Sequence, residues 1–94
     1  MLTSEIMMFG SKAQLKSVIY NNIGCLKYLM GNYRSSLNYF EDAKALTLNS
    51  SLISHFNHNI AITNEKLDKF SEAIAIYQEI LRSDPSQIVC DLRL

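Results

Sequence analysis

The chain repeats itself. YNNIGCLKYLMGNYRSSLNYFEDA in the first half aligns with NHNIAITNEKLDKFSEAIAIYQEI in the second without a gap. Ile23 falls on Ile60, Gly24 on Ala61, Tyr33 on Phe70, Ser36 on Ala73, Phe40 on Tyr77 and Ala43 on Ile80, every pair separated by 37 residues (23 to 60, 40 to 77). A period in the thirties is the mark of stacked helical units, each too small to bury its apolar face alone.

Within each unit the apolar residues step by three and four. Leu15, Val18, Ile19, Ile23, Leu26 and Met30 form one such run; Leu37, Phe40, Ala43 and Leu46 form the next. Leu52, Ile53, Phe56 and Ile60 continue the pattern, then Phe70, Ala73, Ile74, Tyr77, Ile80 and Leu81. That spacing puts apolar side chains on one face of a helix, and no stretch alternates as a strand would. The breaks have chemical causes. Ser11 to Gln14 reads as a capping box that starts the first full helix. Gly31 suits a left-handed cap, with Asn32 poised to cap the second helix. Asn49-Ser50-Ser51 and Leu67-Asp68-Lys69 make the next two turns. Pro85 ends the fourth helix, because it disfavours helix at Asp84 and has no N–H to donate. A short fifth helix is expected from Ser86 to the last residue, Leu94. Short connections make neighbouring helices antiparallel.

Gly24 in the middle of a helix costs about 1 kcal/mol relative to alanine. The repeat supplies a reason. Gly24/Ala61 and Ser36/Ala73 are small at equivalent places, so the two helices of a unit can approach closely while Phe40/Tyr77 and Tyr33/Phe70 fill the space beside them. Gly24→Leu is expected to destabilise by overpacking.

Charge and composition narrow the function classes. Nine basic and nine acidic residues balance, so no excess of positive charge argues for nucleic acid or an anionic membrane. Ile6-Met7-Met8-Phe9 is too short for a signal-peptide core and follows Glu5 rather than a basic segment. No run approaches the ~20 apolar residues of a membrane span. Cys25 and Cys90 form no CxxC and read as buried thiols or surface spectators. The expectation is a cytoplasmic or nuclear protein without a cofactor.

The units resemble the tetratricopeptide repeat, a helix–turn–helix of about 34 residues. The small residues that family favours match Gly24/Ala61 and Ser36/Ala73, its aromatics match Tyr33/Phe70 and Phe40/Tyr77, and its late proline matches Pro85. Leu48 stands where the first unit would have proline, Asn57 where Tyr20 has an aromatic equivalent, and Ile80 where Ala43 keeps a small residue. The resemblance implies an all-α fold: antiparallel helical hairpins stacked as a right-handed solenoid of two repeats with flanking partial helices. Residues 1–16 would be a flanking helical segment, 17–50 the first repeat, 51–53 an insertion, 54–87 the second repeat and 88–94 the start of a further helix. The packing set would be Ile23, Gly24, Tyr33, Ser36, Phe40, Ala43, Ile60, Ala61, Phe70, Ala73, Tyr77, Ile80 and Pro85.

A narrower likeness is carried by Asn21, Asn22, Gly24, Gly31, Asn32, Tyr39 and Phe40, then Ile80, Leu81, Arg82, Pro85, Cys90, Leu92, Arg93 and Leu94. These resemble the large tetratricopeptide subunits of the polymerase-associated factor (PAF) complex; Lys27, where an aromatic or histidine is usual, departs from their pattern. The likeness implies a nuclear scaffold that travels with RNA polymerase II, supports transcription elongation and histone modification, and belongs to a longer chain. Its partners would be the other elongation-complex subunits.

In such a stack the first helix of each repeat lines a groove. The candidate protein-binding residues are therefore Asn21, Asn22, Cys25 and Tyr28 with His55, His58, Asn59, Ile62, Glu65 and Lys66. Asn22 and Asn59 are equivalent, and an asparagine there can hold an extended peptide's backbone through one donor and one acceptor. The plainer reading is that they fix neighbouring helices or face water. A peptide-binding adaptor or co-chaperone is the alternative function, but its basic clamp for a terminal carboxylate is mostly missing. Asn59 or Asn22 fits that clamp according to register, whereas Asn21, Cys25 and His55 do not supply the rest. His55 and His58 lie one helical turn apart and could begin a metal site, yet no further ligand is placed by the sequence. No nucleophile has a placed base and no glycine-rich loop could cradle phosphate, so no enzymatic role is expected. Met7, Met8, Phe9, Val89, Leu92 and Leu94 would be left uncovered, with self-association through the ends as the expected result.

Overall fold

A computed structural model describes the backbone of residues 2–83 and the side chains of residues 12–83. Its four described helices are α1 (Leu2–Leu29), α2 (Tyr33–Ala45), α3 (Ser50–Lys66) and α4 (Phe70–Ser83). They pack in chain order, α1 on α2, α2 on α3 and α3 on α4, which is a stack of two hairpins. The expected all-α architecture is the one the molecule has. Pro85, the short fifth helix and the apolar residues at the two ends lie outside the described residues.

Two local expectations are corrected. Ser11 does not start a helix: α1 runs unbroken from Leu2 through Gly10 and Ser11. A capping pattern is a permissive signal, and Leu2, Glu5, Met7 and Met8 are helix formers that carry the helix across a single glycine. Asn32 occupies the N-cap of α2, but its side chain makes no capping bond. Its φ of −88° and ψ of 72° lie outside the extended region in which a cap side chain reaches the N–H groups of the first turn. Asn49 does cap α3, in an extended conformation, accepting from the Leu52 N–H at 2.9 Å.

The hairpin turns share one geometry. Gly31 has φ +85°, the Gly31 N–H donates to Tyr28 O at 2.9 Å, and the Asn32 N–H donates to Lys27 O at 2.9 Å. In the second turn Asp68 has φ +61°, its N–H donates to Glu65 O at 3.0 Å, and the Lys69 N–H donates to Asn64 O at 2.8 Å. Both satisfy the last carbonyls of a helix through a left-handed residue.

Gly24 meets Phe40. A Cβ built on Gly24 would lie 2.6 Å from Phe40 Cε1 and 2.7 Å from Cδ1. Ser36 Oγ donates to Gly24 O at 2.8 Å in the same buried seam. Glycine therefore makes room for a ring that is only 2% exposed. Leu37, Phe40 and Ile60 form the centre of the core, with Cys25, Leu67 and Ile76 packed against it. This cluster joins the hairpins, since Leu37 and Phe40 come from α2 and Ile60 and Leu67 from α3 and its C-cap. A polar contact also crosses the stack: buried Asn57 donates through Nδ2 to Glu79 Oε2 at 3.3 Å, and Lys44 Nζ lies 3.9 Å from the same oxygen.

Candidate functional site

The first helices of the two hairpins, α1 and α3, carry the residues expected in a groove. The structure separates them into two groups. Asn21 and Cys25 turn inward. Asn21 is buried and its Oδ1 accepts from Asn59 Nδ2 at 2.9 Å, so the two first helices are tied directly. Asn59, the repeat equivalent of Asn22, thus fixes a neighbouring helix through Asn21, while Asn22 stays exposed. Equivalence in the repeat fixes the helix face a residue occupies; the tilt between successive helices fixes what it touches. Cys25 is half-buried against Leu37, Phe40 and Ile60, and burial pushes its thiol pKa up. It is a packing residue, and a protonated thiol is a poor nucleophile and metal ligand. Tyr28 is half-buried with its ring in edge contact with Tyr33, centroids 5.1 Å apart.

The second group faces outward. His55, His58, Glu65 and Lys66 are exposed on α3, and Ile62 is half-buried among them. Their spacing of three and four places them along one stripe of the helix. Glu65 is held in place, since the Tyr77 hydroxyl donates to its Oε2 at 2.6 Å. The Tyr77 ring also stands in edge contact with His58, centroids 6.2 Å apart. His55 meets the edge of Phe56 at 6.2 Å. Asn22, the next residue along α1, is exposed.

The stripe therefore offers two imidazoles, a carboxylate anchored by a phenol, an ammonium and one apolar residue. These can form hydrogen bonds, ion pairs and edge contacts with a protein surface. Among the described residues, no group of three or more His, Cys, Asp or Glu side chains is placed to hold a metal ion, and none of the helices is long and apolar enough to cross a membrane. The Tyr77–Glu65 contact has no counterpart in the first repeat, where Phe40 and Tyr28 stand at those places. Only the pairing of Tyr77 with Glu65 at a separation of twelve residues could have signalled it.

Of the packing set, Ser36, Phe40, Ala43, Ile60, Ala61, Ala73 and Ile80 are buried, and so is Gly24; Ile23, Tyr33 and Tyr77 are half-buried. Phe70 is the departure, at 57% exposure. Its equivalent Tyr33 rests on Tyr28, but the residue equivalent to Tyr28 is Glu65, which offers a carboxylate engaged by Tyr77 rather than a ring.

Comparison with known proteins agrees with this geometry. Family models for the tetratricopeptide repeat match residues 18–49 and residues 54–87. No solved structure gives a significant match to the chain.

Proposed function

The chain belongs to the tetratricopeptide repeat family, and from that premise we propose that it is a scaffold segment of a PAF-type complex, acting in the nucleus with RNA polymerase II during transcription elongation. The coarse part of this reading is a property of the repeats themselves: tetratricopeptide repeats mediate protein–protein interaction and are generally non-enzymatic. The observation that carries the finer part is the distinctive sequence Asn21-Asn22-Ile23-Gly24 combined with Cys90-Asp91-Leu92-Arg93-Leu94, which resembles the large tetratricopeptide subunit of that complex.

The balance of charge agrees with a protein partner rather than direct contact with DNA or RNA. Partners on this reading are the other elongation-complex subunits, met through the exposed stripe of α3. The test is affinity purification of the tagged protein from its own cells, with the co-eluting proteins identified by mass spectrometry. Polymerase and elongation-complex subunits are the expected result. Chaperones, or a set of short peptide-tailed partners without polymerase, would overturn it in favour of a peptide-binding adaptor.

A further inference from the structure

Two buried side-chain oxygens of α3 stand without a partner. Ser54 is 4% exposed and Asn57 2%, and neither Ser54 Oγ nor Asn57 Oδ1 has a hydrogen-bond partner among the described residues. A buried polar atom in that position has lost its bonds to solvent and gained nothing in exchange, so native structures seldom leave one bare. Here two such atoms come from residues three apart, which are neighbours on one face of a helix.

The Asn57 carboxamide is oriented by its other end. Its Nδ2 donates to Glu79 Oε2 on α4 at 3.3 Å. A carboxylate only accepts, so turning the amide over would set two acceptors against each other and strand the NH2 group instead. The oxygen is therefore the end left over. Ser54 differs from its repeat equivalent Ser17. Ser17 is buried as well, but its Oγ donates to Gln14 O at 2.6 Å, one turn back along its own helix. Ser54 Oγ makes no bond of that kind. Asn57 also stands where the first repeat has Tyr20, so the second repeat puts less side-chain volume at this position.

We propose that Ser54 and Asn57 hold one ordered water in the seam between α3 and α4. The water donates to Asn57 Oδ1 and accepts from the Ser54 hydroxyl. It satisfies both orphans at once, which is the ordinary role of buried water. A hard cation would need more oxygens than one hydroxyl and one carboxamide supply, and a larger molecule has no way to reach oxygens this deeply covered. The bridge completes a polar line from Ser54 through Asn57 and Glu79 to Lys44, whose Nζ lies 3.9 Å from Glu79 Oε2. Lys44 belongs to α2, so the water joins the seam of the second hairpin to the contact between hairpins. The site is the same whichever partner the repeats take.

A crystal structure of the full chain, at a resolution where ordered waters are visible, tests this. Magnetic relaxation dispersion of the water oxygen, which counts long-lived internal waters in solution, tests it independently. The expected density is one peak within hydrogen-bond distance of both Ser54 Oγ and Asn57 Oδ1. The internal-water count is expected to fall by one in Ser54→Ala and in Asn57→Leu, with the far-ultraviolet helical signal unchanged. Ser54→Ala keeps the Asn57–Glu79 bond and is the milder variant, and the density in the unmodified chain decides the matter even if Asn57→Leu fails to fold. A structure with no peak there, and Ser54 Oγ turned onto its own backbone as Ser17 is, overturns the proposal. So does an internal-water count that Ser54→Ala leaves unchanged.

Discussion

The two hairpins solve the same packing problem with different side chains. In the first, glycine at 24 lets the Phe40 ring lie directly on the helix backbone, and Ser36 Oγ fixes the seam by donating to Gly24 O at 2.8 Å. In the second, Ala61 supplies a methyl where that ring would sit, Ala73 replaces the serine, and Tyr77 replaces the phenylalanine. Tyr77 is half-buried and sends its hydroxyl to Glu65. One seam is closed by a fully buried apolar ring; in the other the ring is half-buried and ends in a surface hydrogen bond. Helix positions and turns are common to both, so the repeat fixes the backbone while the choice at one small-residue position decides how deep the neighbouring aromatic goes.

The largest effect should come from removing the two aromatics in turn. Phe40→Ala empties a buried site at the centre of the core and is expected to cost about 3–5 kcal/mol. Tyr77→Ala removes a half-exposed ring and is expected to cost clearly less. Urea unfolding followed by circular dichroism reads both. Equal losses at the two positions would mean the second seam is as tight as the first, and the contrast between the hairpins would vanish.

Exchanging the small residues probes the same difference from the helix side. Gly24→Leu drives a side chain into Phe40 and should destabilise by about 1–3 kcal/mol through overpacking, despite the gain of about 1 kcal/mol in helix propensity. Ala61→Gly should lose about 1 kcal/mol from propensity alone. Denaturation midpoints measure both; an unchanged midpoint for Gly24→Leu would show that Phe40 can move aside.

Much of this was legible in the residues. A glycine in mid-helix, matched by alanine one period later and flanked by aromatics, pointed to close helix approach at Gly24. Gly31 and the Leu67-Asp68-Lys69 turn marked the hairpins. The candidate groove was legible only as a set of helix faces. Spacing placed Asn21 and His58 on equivalent sides, but it could not say that the stack buries the first and leaves the second exposed. That depends on which neighbours surround each repeat, a property of position in the stack rather than of residue type. Asn59 meeting Asn21 has the same origin. Phe70 was misplaced because its partner position had changed from Tyr28 to Glu65, and Ser11 because a capping pattern does not by itself stop a helix.

The smallest expected effect lies in the turns, at the left-handed position where one repeat has Gly31 and the other Asp68. Gly31 and Asp68 both sit at positive φ, +85° and +61°, and both close the same pair of backbone bonds. A side chain in that region costs roughly 1–2 kcal/mol per residue, less for aspartate, whose short polar group tolerates it. Glycine removes this strain but gives up more conformational freedom on folding. The two terms oppose each other, so Asp68→Gly should stabilise by a few tenths of a kcal/mol up to about 1 kcal/mol. Gly31→Asp should destabilise by a similar amount, since nothing else within reach of its Cβ changes: no atom lies within 4 Å of that position. Thermal unfolding of the two single variants and of the double exchange measures this. If the turns are interchangeable, the double exchange should return to the parent midpoint. A remaining loss would place a specific role on the Asp68 carboxylate beyond its backbone conformation.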